Sequence, residues 1–176
     1  MIYYYDDTLV IRSMIKSDIE ILVQSFAEQG WNKTREQFDE YYTQQLNKEK
    51  KVIVAELSGC VAGYVTLLSC TQTGPFADKK IPEIVDFNVL MKYQRRGIGN
   101  KIMDIVESLA KEECDFVSLS VGLHSGYGTA QRMYVKRGYI PDGTGVWYCG
   151  KTLEPYSNCI NDDELTMYFL KSLIDQ

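Results

Sequence analysis

The chain has 176 residues, 45% hydrophobic and 24% charged, with a formal net charge of -5. That length and apolar content suit one globular domain spanning residues 1–176 with a core of its own. The acidic balance argues against a general nucleic-acid surface, which needs a basic face, and would draw cationic partners, amines among them.

The start, MIYYYDDTLV, carries no basic n-region and no long apolar run. No signal peptide and no membrane span are expected, and a reducing cytoplasm fits best. Residues 9–14 read as the first strand. KSDIEILVQSFAEQ follows as a helix, with Ser17 and Glu20 at capping-box spacing and Gly30 as a stop. A second helix starts at the cap Thr34 and runs to about Asn47. Residues 51–57, the turn Ser58-Gly59 and residues 60–70 form a hairpin. Residues 82–90 make another strand. A helix over 99–113 puts Ile102, Val106, Leu109 and Ala110 on one face. Residues 116–122 are a strand, and 127–138 a helix closed by Gly138. A strand or turn begins at YIPDG, a loop-rich stretch runs to about Asp163, and the last strand is 164–173. The order β-α-α-β-β-β-α-β-α-β-β describes one mixed α/β domain with no linker long enough to divide it. Cys60, Cys70, Cys114, Cys149 and Cys159 make no CxxC pair and no zinc spacing, so buried reduced thiols and no metal site are expected.

The chemistry concentrates at YQRRGIGN, residues 93–100, between a strand and a helix. A helix N-terminus offers unpaired N–H groups and partial positive charge, and glycines let a phosphate reach the backbone. Arg95, Arg96 and Lys101 add charge. The dinucleotide fingerprint fails because Ile102 holds its third glycine position, and no P-loop run occurs. Gln94, Arg95, Arg96, Gly97, Ile98 and Gly99 do satisfy the pattern Gln/Arg-x-x-Gly-x-Gly/Ala.

With that turn, and with Ala130, Tyr134 and Gly138-Tyr139 downstream, the sequence resembles the GNAT superfamily of acyl-CoA-dependent N-acetyltransferases. The resemblance implies a central, mostly antiparallel sheet flanked by about four helices, splayed between strands 82–90 and 116–122. It implies that acetyl-CoA is the co-substrate. The pyrophosphate would sit on Gln94, Arg95, Arg96, Gly97, Ile98, Gly99 and Asn100. The pantetheine arm would pair with the backbone of Phe87 and Val89, with the Val89 N–H as an oxyanion donor. Tyr127 stands where many relatives place a cofactor-contacting asparagine, a departure that leaves Ser125 or backbone amides as substitutes.

The implied reaction is direct attack of a primary amine on a thioester in a ternary complex. Tyr134 is the candidate acid for the departing thiolate. Glu83, matching the base position of the histone-acetylating branch, and Asp86 on the same strand are the candidate bases; strand alternation would turn them to opposite faces. His124 just past strand 116–122 is read as structural or solvated. Trp31, Trp147 and Tyr148 are candidate walls for an organic cation, with segment 142–163 covering the acceptor. The leading expectation is a small-molecule amine acceptor, with no nucleic acid and no membrane partner and a homodimer left open. A protein N-terminal or lysine acetyltransferase, or a non-catalytic acyl-CoA-binding regulator, are the alternatives.

Overall fold

The computed structural model describes residues 1–71 and 73–174. Two compact units divide the chain: Met1–Leu68 with Val85–Leu109, and Ser69–Ile84 with the chain from Ala110 onward. Nine strands and four α-helices among the described residues make a mixed α/β fold, as expected.

The first unit holds β1 (Ile2–Tyr5), β2 (Leu9–Ser13), α1 (Asp18–Glu28), α2 (Arg35–Leu46), β3 (Lys50–Leu57), β4 (Cys60–Leu68), the larger part of β5 (Glu83–Val89) and most of α3 (Ile98–Lys111). Its strands lie in the order β1-β2-β3-β4-β5, with antiparallel ladders from β1 through β4. The apolar run Val52–Ala55 in β3 is fully buried, as a strand covered on both faces requires. Helix α1 buries Ile19, Leu22 and Phe26, spaced three and four residues apart. These join Met14, Phe38, Val54, Tyr64 and Leu90 in one core cluster. Full burial of one such side chain is worth about 1.5–3 kcal/mol. The apolar face read for α3 is also real: Ile102, Val106, Leu109 and Ala110 are all buried. Gly63 in β4 has a backbone reason to lack a side chain. A Cβ there would lie 2.4 Å from the Asn88 carbonyl oxygen.

Two local expectations need correction in this unit. Strand β1 was not foreseen; IYYY is too short and too aromatic to show alternation, yet it pairs with β2. The capping box at Ser17 does not form. Ser17 is itself helical (φ -67, ψ -18) and makes no side-chain cap bond. The Asp18 carboxylate accepts the Ile15 N–H at 2.8 Å instead, and Arg12 grips it with two bonds of 2.7 and 2.9 Å. The Thr34 cap does form, accepting the Gln37 N–H at 3.2 Å, and Gly30 stops α1 with φ +82.

The second unit holds the start of β5, then β6 (Phe116–Gly122), α4 (Gly128–Lys136), β7 (Ile140–Tyr148), β8 (Lys151–Thr152) and β9 (Leu165–Ser172). Its order is β5-β6-β9-β7-β8. Glu83 and Ile84 pair in parallel with Ser118 and Leu119, while β6, β9, β7 and β8 run antiparallel. The strand that begins at YIPDG runs on to Tyr148 through residues expected to be loop, and residues 153–164 are loop as expected. Gly143 and Gly145 adopt φ of +89 and +87, and the β7–β9 register shifts between Pro141 and Val146. Residues that signal a loop in the sequence here build a bulge inside a strand. No described helix is long and apolar enough to cross a membrane. The cysteines are free thiols, but Cys60, Cys70, Cys149 and Cys159 are exposed and Cys114 is half-buried, not core residues as expected. Short polar neighbours such as Ser58-Gly59 and Gly150 place two of them beside turns.

Candidate active site

A short 3-10 turn, Met91–Tyr93, links β5 to the basic segment. The Gln94 amide donates to the Val89 carbonyl at 3.0 Å, which draws the chain back towards the strand end. Arg95 (φ 61) and Gly97 (φ 80) then occupy the left-handed region. At Gly97 a side chain would be strained by the backbone, yet a Cβ would meet nothing within 4 Å. Open space therefore lies directly against the backbone where α3 begins at Ile98. The Lys101 N–H closes onto the Gly97 carbonyl at 3.1 Å. Gly99 lies over β5: a Cβ there would stand 3.4 Å from the Phe87 ring and 3.7 Å from the Val89 side chain. Phe87 and Val89 thus turn their side chains to α3. A helix start, a left-handed glycine and the arginines Arg95 and Arg96 together leave backbone N–H groups and positive charge on one open side of the chain.

Asp86 interrupts β5 with φ 51. This breaks the regular pleat, so alternation cannot be counted through it to orient Glu83 and Asp86. The Asp86 carboxylate accepts five hydrogen bonds. Lys33 at 2.5 Å and Asn88 at 2.7 Å bind Oδ1; Gln37 at 3.1 Å, Tyr41 at 3.0 Å and Tyr64 at 2.5 Å bind Oδ2. Burial first, then the negative charge of Asp86, pushes the Tyr41 and Tyr64 phenols well above their ordinary range. The Lys33 ammonium also lies 5.9 and 5.8 Å from the ring centres of Phe26 and Tyr64. Trp31, a predicted substrate wall, stacks on Phe26 at 5.9 Å. Lys33, Gln37, Tyr41 and Tyr64 were not foreseen. Gln37 and Tyr41 do lie one helical turn apart, a spacing that puts both on one face of α2.

Glu83 belongs to the second unit and is buried, 6% exposed. Burial raises its carboxyl above the ordinary range, and a polar contact from the Thr71 hydroxyl opposes the rise. Tyr168 on β9 is close enough to feel it: burial, then the charge of Glu83, pushes that phenol up. Trp147 packs edge-on against Tyr168 at 5.2 Å and donates its indole N–H to Thr144 at 2.8 Å. Tyr168 so links the predicted base Glu83 to the predicted wall Trp147. Tyr148 lies next to Trp147 on β7, paired with Leu165.

Tyr134 on α4 is buried, and burial pushes its phenol up strongly, with a smaller push from Tyr127. It therefore keeps its proton throughout the physiological range. Its ring meets Tyr139 edge-on at 5.7 Å. Tyr127 lies across Gly122, where a Cβ would be 2.4 Å from the ring, and donates its hydroxyl to Asp163 at 2.8 Å. His124 accepts the Gly126 N–H at Nδ1, so Nε2 carries the proton towards Asp163, 3.0 Å away. That fastens the 124–127 turn to the segment before β9. Among the described residues no group of three or more His, Cys, Asp or Glu could hold a metal ion.

Residues 19–139, more than half of the chain, match the family described as the acetyltransferase (GNAT) family. The match makes the chain an acetyltransferase, a class of enzyme that draws its acetyl group from acetyl-CoA. The chain belongs to the GNAT family. Solved structures agree on the fold. One is the Salmonella typhimurium acetyltransferase that modifies the N-terminal serine of ribosomal protein L7/L12: 11% identity, 99% of this chain and 100% of that chain covered, TM-score 0.74. Another is Salmonella typhimurium yncA with its cofactor acetyl-CoA: 15% identity, 97% and 96% covered, TM-score 0.69. A third is Ard1 from Thermoplasma volcanium: 19% identity, 96% and 99% covered, TM-score 0.68. No curated protein sequence matches the chain significantly.

Proposed function

We propose that the chain transfers an acetyl group from acetyl-CoA to a primary amine of a small molecule, by direct attack of the amine on the thioester. The observation that carries the reading is Gly97: left-handed, open on its Cβ side and set where α3 begins, it fits a diphosphate held by backbone amides. Gln94 to Asn100 hold that diphosphate, with Arg95 and Arg96 adding charge. The backbone of Phe87 and Val89 takes the pantetheine amides, and the Val89 N–H receives the developing oxyanion.

Glu83 is the base. A carboxyl raised by burial sits nearer the working pH, where a base is most effective. Asp86 suits that role less well: a proton arriving at either oxygen would displace one of its five donors. Tyr134, which keeps its proton, returns one to the departing thiolate. The amine nitrogen bonds to the acetyl carbon, the carbon–sulfur bond breaks, and the sulfur leaves as the free thiol. Acidic and aromatic side chains suit a cationic acceptor.

The test is thiol release from acetyl-CoA across a panel of small primary amines, together with calorimetric titration of CoA. At least one amine should drive release. Gly97→Asp should weaken CoA binding tenfold or more, about 1.4 kcal/mol. Equal CoA affinity in the variant and the parent would refute the assignment of the turn.

A further inference from the structure

We infer that Asp86, Tyr64, Tyr41 and Phe26 form a subsite for an unbranched primary alkylammonium, and that in the free protein the chain's own Lys33 fills it. The inference rests on the proposed amine-acetylating reading and names the acceptor's shape.

The chemistry of the place is that of a cation receptor. One oxygen of Asp86 takes an ammonium at 2.5 Å, and two rings stand within 6 Å of the same nitrogen. The other oxygen is held by Tyr41, Tyr64 and Gln37, so the carboxylate is fixed before any ligand arrives. Asp86 reaches this position through a left-handed backbone. Such conformations are strained for a residue with a side chain and persist where the surroundings impose them, commonly at binding sites. An ion pair this shielded, with side-chain exposures of 19% and 14%, gives weak support to stability on its own. A structural ion pair needs neither the strain nor the rings.

Lys33 enters from the segment between α1 and α2, outside regular structure. Its ammonium can leave by rotation of its own side chain, with no strand or helix broken. An incoming R–CH2–NH3⁺ group reproduces what Lys33 presents: three donors on a slender methylene stem. An α-amino group carries a branched carbon next to the nitrogen, and an arylamine carries no positive charge at neutral pH. Both match the vacated space less well. Lys33 thus acts as a built-in competitor, and an acceptor binds only with the difference in free energy.

The probe is n-butylammonium, measured by calorimetry without acetyl-CoA. Lys33→Met and Lys33→Gln should each bind it at least tenfold more tightly than the parent, about 1.4 kcal/mol. Lys33→Arg, which keeps a cation, should not. In the unaltered protein, Lys33 should react slowly with an amine-labelling reagent, and saturating n-butylammonium should speed that labelling; mass spectrometry of the digested chain reads it. Equal affinity in the Met, Gln and parent proteins, with labelling of Lys33 unaffected by the amine, overturns the inference while leaving acetyl transfer standing. Tighter binding in the two variants, with no amine driving thiol release, keeps the subsite and removes the transfer reading.

Discussion

Two carboxylates three residues apart on β5 have opposite surroundings. Asp86, in the first unit, is saturated with donors and paired with a cation. Glu83, in the second, is buried beside a phenol and raised by the loss of water. One is arranged to gather donors and hold a cation. The other is arranged so that its neutral form is favoured. The strand that carries both shows nothing of this in its letters: each is an acid in an apolar run. Environment assigns the role, through the number of donors aimed at each oxygen.

The largest effect that would break this contrast lies at Asp86. Asp86→Ala leaves Lys33 and several phenol and amide donors without their acceptor. Urea unfolding should show a loss of about 3 kcal/mol, the scale for breaking a shielded ion pair. A loss near zero would mean that the network does not hold Asp86 as described. Next is Glu83→Gln, which should cut turnover about 10²-fold and flatten the rise of rate with pH. Should Asp86→Asn flatten that limb while Glu83→Gln leaves it intact, the two roles are exchanged. Tyr134→Phe sharpens the same division, because it tests the proton donor of the proposed reaction as Glu83→Gln tests its base. It should lower kcat about tenfold or more with little change in the KM for acetyl-CoA.

The smallest effect is on stability. Folding raises the Glu83 carboxyl, so its neutral form is favoured in the folded chain. That contribution is fully present below the unfolded glutamate value of about 4.3, and it is lost as pH rises through the raised folded value. A glutamine side chain at this position would mimic the neutral form at every pH. The Glu83→Gln protein should therefore melt above its parent at neutral pH, and the gap should close on acidification. A gap that widens on acidification would show that the shift has the opposite sign.

Much of the fold was legible because periodicity reports burial. The α3 face, the hairpin of β3 and β4 and the stops at Gly30 and Gly138 all follow from local spacing. The start of strand β7 was read at YIPDG but its length was not, because Gly143 and Gly145 signal a loop and only pairing with β9 turns them into a bulge. The capping box failed for a related reason. Asp18 finds Arg12, a partner on another element, and outcompetes the local bond. At the site, the glycine turn proposed for the diphosphate is contiguous, and its strand–turn–helix setting could be read. The cation receptor is assembled from α1, the segment after it, α2, β4 and β5, and no window along the chain contains it. Its visible traces were an acid on a strand and the one-turn spacing of Gln37 and Tyr41.

The exposed cysteines bear on how this enzyme's chemistry can be watched. Cys60, Cys70, Cys149 and Cys159 are accessible sulfhydryls. A disulfide reagent that reports released coenzyme A would titrate them too, giving a burst proportional to enzyme and independent of amine. In air-oxidised buffer the same groups can join two chains covalently, so a dimer seen without reductant would report sulfur chemistry and not recognition. Replacing these four with serine would leave only the half-buried Cys114 and so lower the background and give a fairer reading of oligomeric state.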